Sequence, residues 1–127
     1  MKDIRWWLPD TLALFVLSGI TIVSVVPFRL NYHTESVVTP DVIGHFACYF
    51  ILGFCALYRR NSLASAALTA LAIITYGGLI ELVQSHLGRS TSFADFAANT
   101  LGTLSAWAVL VAVRKLALRG ELKRDLR

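Results

Sequence analysis

Four apolar runs of about 20 residues, at roughly 8–28, 41–58, 62–83 and 93–113, take up most of this chain of 127 residues. At 1.5 Å per residue, such a run is long enough to cross a hydrocarbon core ~30 Å thick. A soluble helical bundle is the alternative. However, 56% hydrophobic against 16% charged residues and a mean hydropathy of +0.62 exceed what so small a soluble domain hides. The sequence predicts an all-α fold: a single-domain, polytopic membrane protein with a bundle of four transmembrane helices.

The boundaries follow from local signals. Trp6 and Trp7 form an interfacial pair before the first run, Asp10 lies close to its start, and Pro27 ends it. Lys2 and Arg5 also suit the start of a signal peptide, but Val25-Val26-Pro27 lacks small residues spaced for cleavage, so the run is kept as a spanning helix. Residues 29–40 are polar, aperiodic and closed by Pro40, which reads as a loop; His33 within it is a solvated histidine. Asp41 then opens the second helix, where a carboxylate suits the positive end of the helix dipole. The third is rich in small residues (Ala64, Ala66, Ala67, Ala70, Ala72, Gly77, Gly78), which let helices approach closely in lipid and predict the packed central helix. Residues 85–92 make a short loop. On the fourth helix Asp95, Asn99, Gly102 and Thr103 share an inward stripe, with Leu101, Leu104, Ala108 and Leu110 opposite.

Orientation comes from the basic residues, whose excess stays cytoplasmic. In a four-helix topology Lys2, Arg5, Arg59, Arg60 and the six basic residues from Arg114 onward share one side, leaving Arg29 and Arg89 on the other. Both termini are therefore expected inside, on the cytoplasmic side of the membrane. The basic tail, residues 114–127, reads as a cytoplasmic anchor to anionic lipid. A net charge of +4 without any recognition motif predicts no nucleic-acid partner. Cys48 and Cys55, seven apart on one helix, lie about 10.5 Å apart along its axis, too far for a disulfide.

Ionisable residues are scarce in such apolar runs, and each costs roughly 2.5–3.5 kcal/mol at mid-helix on insertion scales, so it needs a partner, water or a function. Asp41, His45 and Tyr49 follow at steps of four on the second helix; Glu81, Gln84 and Ser85 close the third, with Glu81 and Ser85 on one face; Arg89 sits in the loop; Asp95 and Asn99 open the fourth. The topology brings these three helix ends to the outer face. Asp41, His45, Tyr49, Glu81, Gln84, Arg89, Asp95 and Asn99 are thus expected in one layer at and just below the interface.

Lined up this way, the chain resembles the VanZ-like family of small bacterial integral membrane proteins. An acid followed four residues on by His and an aromatic-rich helix is matched by Asp41, His45 and Tyr49; Glu-x-x-Gln by Glu81 and Gln84; the Arg-Ser loop by Arg89-Ser90; and Asp-x-x-x-Asn-x-x-Gly by Asp95, Asn99 and Gly102. The resemblance covers residues 41–102; Val42 stands where relatives often carry Lys. It implies a multi-pass protein from a family named after a member associated with low-level resistance to the glycopeptide teicoplanin.

Three roles fit the polar layer. It binds a membrane lipid, a lipid-linked envelope precursor or a glycopeptide, with Arg89 as a fork for phosphate or carboxylate and Gln84, Asn99, Tyr49 and His45 as hydrogen-bonding groups. It is a transferase or hydrolase for a lipid-linked substrate, with His45 or Glu81 as general base. Or it clamps three helix ends. No HExxH or GxSxG is present. His45, Glu81, Asp95 and His86 are ligand types without a ligand-spacing signature, so no metal or other cofactor is expected. Four short helices leave little room for alternating-access transport unless copies assemble into a homo-oligomer.

Overall fold

A computed structural model describes residues 8–25, 39–87 and 92–125. These form four helices: α1 (Leu8–Val25), α2 (Pro40–Leu57), α3 (Leu63–His86) and α4 (Phe93–Asp125). There is no strand among the described residues. Three of the helices, α2, α3 and α4, are long and apolar enough to cross a membrane, whereas the apolar stretch of α1, Leu8–Ser24, is shorter. The expected end of the first helix at Pro27, the Trp6-Trp7 pair, His33 and Arg89 all lie outside the described residues.

The helix starts are set by capping. Thr39 accepts a hydrogen bond from Val42 N through its side chain, and Pro40 occupies the first turn, where its missing N–H costs nothing. Ser62 caps α3 by accepting from Ser65 N at 3.1 Å, and Ser92 Oγ accepts from Ala94 N at the start of α4. The ends run further than expected. α3 continues through Ser85 and His86 because both side chains fold back on their own helix, Ser85 Oγ donating to Leu82 O at 2.7 Å and His86 Nδ1 to the same carbonyl at 2.8 Å. α4 continues past the end of its apolar run at Val113 into the basic tail, 33 residues in all, about 50 Å. The segment after Arg114 is made of good helix formers such as Leu116, Ala117 and Leu118, with no proline to break it.

The most extensive helix packing is α2 against α4, which corrects the expectation that α3 is the packed centre. The cause is a pair of glycines. A Cβ built on Gly53 would lie 3.3 Å from both Ala106 Cβ and Thr103 Cα, and one on Gly102 would lie 2.5 Å from Phe46 O and 3.0 Å from Phe50 N. Backbone meets backbone there, as small residues permit. On α3, by contrast, Ala66, Ala70 and Gly77 face inward but Ala64, Ala67 and Ala72 are exposed. The inward stripe of α4 contains Asp95, Asn99, Gly102 and Thr103 as expected, and also Leu110, which sequence placed on the opposite surface.

Two apolar clusters form the core. Leu57, Ala66, Ala70 and Leu110 join α2, α3 and α4, while Tyr49, Leu52 and Ile73 pack with Val16, Leu17 and Ile20 of α1. At the end away from the polar layer, Arg59 pairs with Asp10 at 2.6 Å. Arg114 donates to the carbonyls of Leu57, Tyr58 and Arg60 at 3.3, 2.5 and 2.7 Å, satisfying the exposed C-terminus of α2. Midway, Thr21 Oγ1 and Tyr76 OH, 2.6 Å apart, tie α1 to α3.

Candidate functional site

Every expected member of the polar layer that lies in the described residues sits at one end of the bundle. α2 delivers its three residues down a depth gradient: Asp41 is exposed, His45 half-buried and Tyr49 only 1% exposed. Glu81 and Gln84 from α3 and Asp95 and Asn99 from α4 are all buried. Glu81 shares its buried face with Gln84 and not with Ser85, which is exposed. His86 is likewise turned outward, so it is not part of the cluster.

Gly77 makes the arrangement sterically feasible. A Cβ there would meet Tyr49 Cε1 at 3.0 Å and Asn99 Cβ and Nδ2 at 3.3 Å, so the bare α3 backbone gives both side chains their seats. Asn99, with no exposed surface, then links all three helices. Its Nδ2 donates to Glu81 Oε1 in a long bond of 3.5 Å, and its Oδ1 accepts from His45 Nδ1 at 2.9 Å. Glu81 Oε1 is itself 3.5 Å from His45 Nδ1.

The order of these bonds fixes the chemistry of the imidazole. With the amide nitrogen directed to Glu81, the amide oxygen faces the ring, so Nδ1 carries a hydrogen and the neutral form of the ring has its lone pair on Nε2. Such a ring is set up to accept a proton or to ligate a cation. Asp41 and Asp95 lie close by: one ligand atom from each of Asp41, His45 and Asp95 falls within 4.8 Å of the others. The Tyr49 hydroxyl and Glu81 Oε2, both buried, have no hydrogen-bond partner among the described residues.

A cavity of about 310 Å³ opens beside the cluster between α1 and α2. Phe15, Val16, Gly19, Ile20 and Val23 give it an apolar wall, and Asp41, His45, Tyr49 and Gln84 a polar end. Gly19 and Gly44, both in its lining, have no atom within 4 Å of where a Cβ would stand. A wider depression of about 410 Å³ runs along α4 beside Leu104, Trp107 and Lys115 and contains no member of the cluster.

The α1 wall is the part that sequence reasoning missed. Its residues are apolar in an apolar run, and the one signal available was Gly19 in mid-helix. Thr103, fully buried, was foreseen on the inward stripe; its hydroxyl donates to Asn99 O at 3.0 Å, so its role is structural.

The family model described as VanZ/LLP1 matches residues 7–114, which include all the residues of the cluster. Neither a curated protein nor a solved structure matches the chain significantly.

Proposed function

The chain belongs to the VanZ/LLP1 family, and we propose that it is a multi-pass protein of the bacterial cytoplasmic membrane that binds a cell-envelope lipid or lipid-linked precursor between α1 and α2. The observation that carries this reading is the amphipathic lining of one cavity: an aliphatic and aromatic wall on α1, continuous with carboxylate, imidazole, phenol and carboxamide at one end. A lipid has the same division between chain and head group. The phenol of Tyr49, buried without a partner among the described residues, is a hydrogen-bond donor for a head group.

In this reading all four helices span, and both termini face the cytoplasm, as the distribution of Lys and Arg favours. A cysteine introduced by Ser90→Cys, with Cys48 and Cys55 replaced by alanine, is then expected to react with an impermeant thiol reagent from outside the cell; protection of that cysteine overturns the orientation.

The binding test is native mass spectrometry of gently extracted protein. Wild type is expected to carry a lipid adduct, and Gly19→Leu, which projects a side chain into open cavity space, to lose it without a loss of thermal stability. Equal lipid occupancy in the two proteins refutes the reading. Low-level teicoplanin resistance, associated with the member after which the family is named, supplies a cellular readout, in which Gly19→Leu is expected to behave like a deletion.

A second reading is favoured by the tautomer of His45. With Nδ1 held by Asn99, Nε2 is a general base on a side chain that lines the cavity, suited to a transferase or hydrolase acting on a lipid-linked substrate. Formation of a lipid product by purified protein, abolished in His45→Ala, decides for it; bound lipid without any product decides for binding.

A further inference from the structure

We propose that Asp41, His45 and Asp95 form a site for one divalent transition-metal ion, Zn²⁺ or Mn²⁺. Three observations converge on it. First, α2 and α4 bring one ligand atom from each residue within 4.8 Å of the others. Ligand atoms at the corners of a tetrahedron about 2.1 Å from a metal are about 3.4 Å apart, so small side-chain rotations close the set. One imidazole with two carboxylates is a mixed nitrogen and oxygen donor set, which suits these ions better than the all-oxygen preference of Mg²⁺ or Ca²⁺.

Second, the histidine is held as metal-binding histidines are held. Glu81 orients Asn99, and Asn99 accepts the Nδ1 proton of His45 at 2.9 Å, which leaves Nε2 as the ligating nitrogen and fixes the plane of the ring. Glu81 and Asn99 are positioning residues here and are not ligands. Third, the Tyr49 hydroxyl, on a side chain 1% exposed, has no partner among the described residues and lines the same cavity as Asp41 and His45. Asp41, exposed at the rim, gives an incoming ion access.

The sequence showed no spacing signature because the ligands come from two helices: Asp41 and His45 are one turn apart, whereas Asp95 arrives 50 positions after His45. The ion site does not depend on lipid occupancy. It is tested on the full chain in detergent, stripped with a chelator and then loaded with Zn²⁺ or Mn²⁺ alone. Elemental analysis after desalting is expected to give about one ion per chain, and Asp41→Asn, His45→Gln and Asp95→Asn are each expected to weaken the dissociation constant at least tenfold.

Asp95 is buried and its variant can lose stability, so Asp41→Asn at the exposed rim is the deciding arm, with its melting temperature recorded alongside. Wild type that retains no ion overturns the site, as does unchanged affinity in a folded Asp41→Asn protein. Gly19→Leu, which fills the apolar part of the cavity, is expected to keep the ion, so a failure of lipid binding and a failure of ion binding are read separately.

Discussion

Gly102→Ala tests how the bundle builds its site. The added methyl would stand 2.5 Å from Phe46 O and 3.0 Å from Phe50 N, where ordinary contact begins near 3.4 Å. Both obstacles are backbone atoms of a regular helix, so neither can rotate away. Relief requires α2 and α4 to separate by about 1 Å locally, at an overpacking cost of roughly 1–3 kcal/mol. The same separation acts on the His45–Asn99 hydrogen bond, now 2.9 Å, and carries it past the range of a real bond. Losing that bond adds roughly 0.6 kcal/mol, the average for such pairs between membrane helices. At a few degrees per kcal/mol, the melting temperature in detergent is expected to fall by about 5–10 °C. Gly44→Ala is the control. It lies on α2 with no atom within 4 Å of its Cβ position, and alanine gains up to about 1 kcal/mol over glycine in a helix. Gly102→Ala melting within about 1 °C of wild type would refute the close approach of α2 and α4 and the reason given for this glycine.

Three further outcomes probe the rest of the frame. Arg114→Ala removes a guanidinium that serves three carbonyls at the end of α2 and is expected to cost about 1–2 kcal/mol by thermal melting, with Arg114→Lys recovering only part because an ammonium lacks the planar fork. Tyr76→Phe deletes the hydroxyl 2.6 Å from Thr21; a loss of about 1 kcal/mol is expected, together with faster proteolysis in α1, and unchanged protease sensitivity argues against this tie. Asp10→Asn breaks a pair whose side chains are 49% and 41% exposed, so the loss is expected to stay below about 1 kcal/mol and to shrink further in high salt.

How much of this was legible in the sequence depended on whether a feature is local. The helices were readable because their apolar runs are continuous, and the cluster because Asp41, His45, Glu81, Asp95 and Asn99 are out of place in such runs. Depth was readable on α2, where steps of four set one face. Where α3 ends was not, because Ser85 and His86 look like loop residues until their side chains are seen donating to Leu82 O. The dominance of the α2–α4 contact was hidden for a different reason. Alanine count pointed to α3, but close approach is decided by which face the small residues occupy, and Gly53 and Gly102 oppose each other only in three dimensions. The apolar cavity wall had no chemical signature, since the α1 residues that line a cavity and those on the outer face of the helix are of the same types.

The clamp reading accounts for only part of the polar layer. Asn99 bridging His45 and Glu81 does hold three helices together, and the glycines show that the helices meet closely where they do. A clamp, however, gains by pairing every group it buries, because an unpaired buried polar atom costs about 1–3 kcal/mol. Tyr49 OH and Glu81 Oε2 lack partners among the described residues. Phenylalanine at 49 would fill the same space without the hydroxyl, and glutamine at 81 would keep an oxygen toward Asn99 without an ionisable group. A bundle selected only for stability has those cheaper solutions at both positions. The phenol lies on a cavity that joins an apolar wall to the imidazole and Asp41, so its cost is understood if something enters that cavity and completes its hydrogen bonding. If Tyr49→Phe raises the melting temperature of the purified protein while lowering lipid occupancy, the hydroxyl serves a ligand; a fall in melting temperature with occupancy unchanged returns it to the fold.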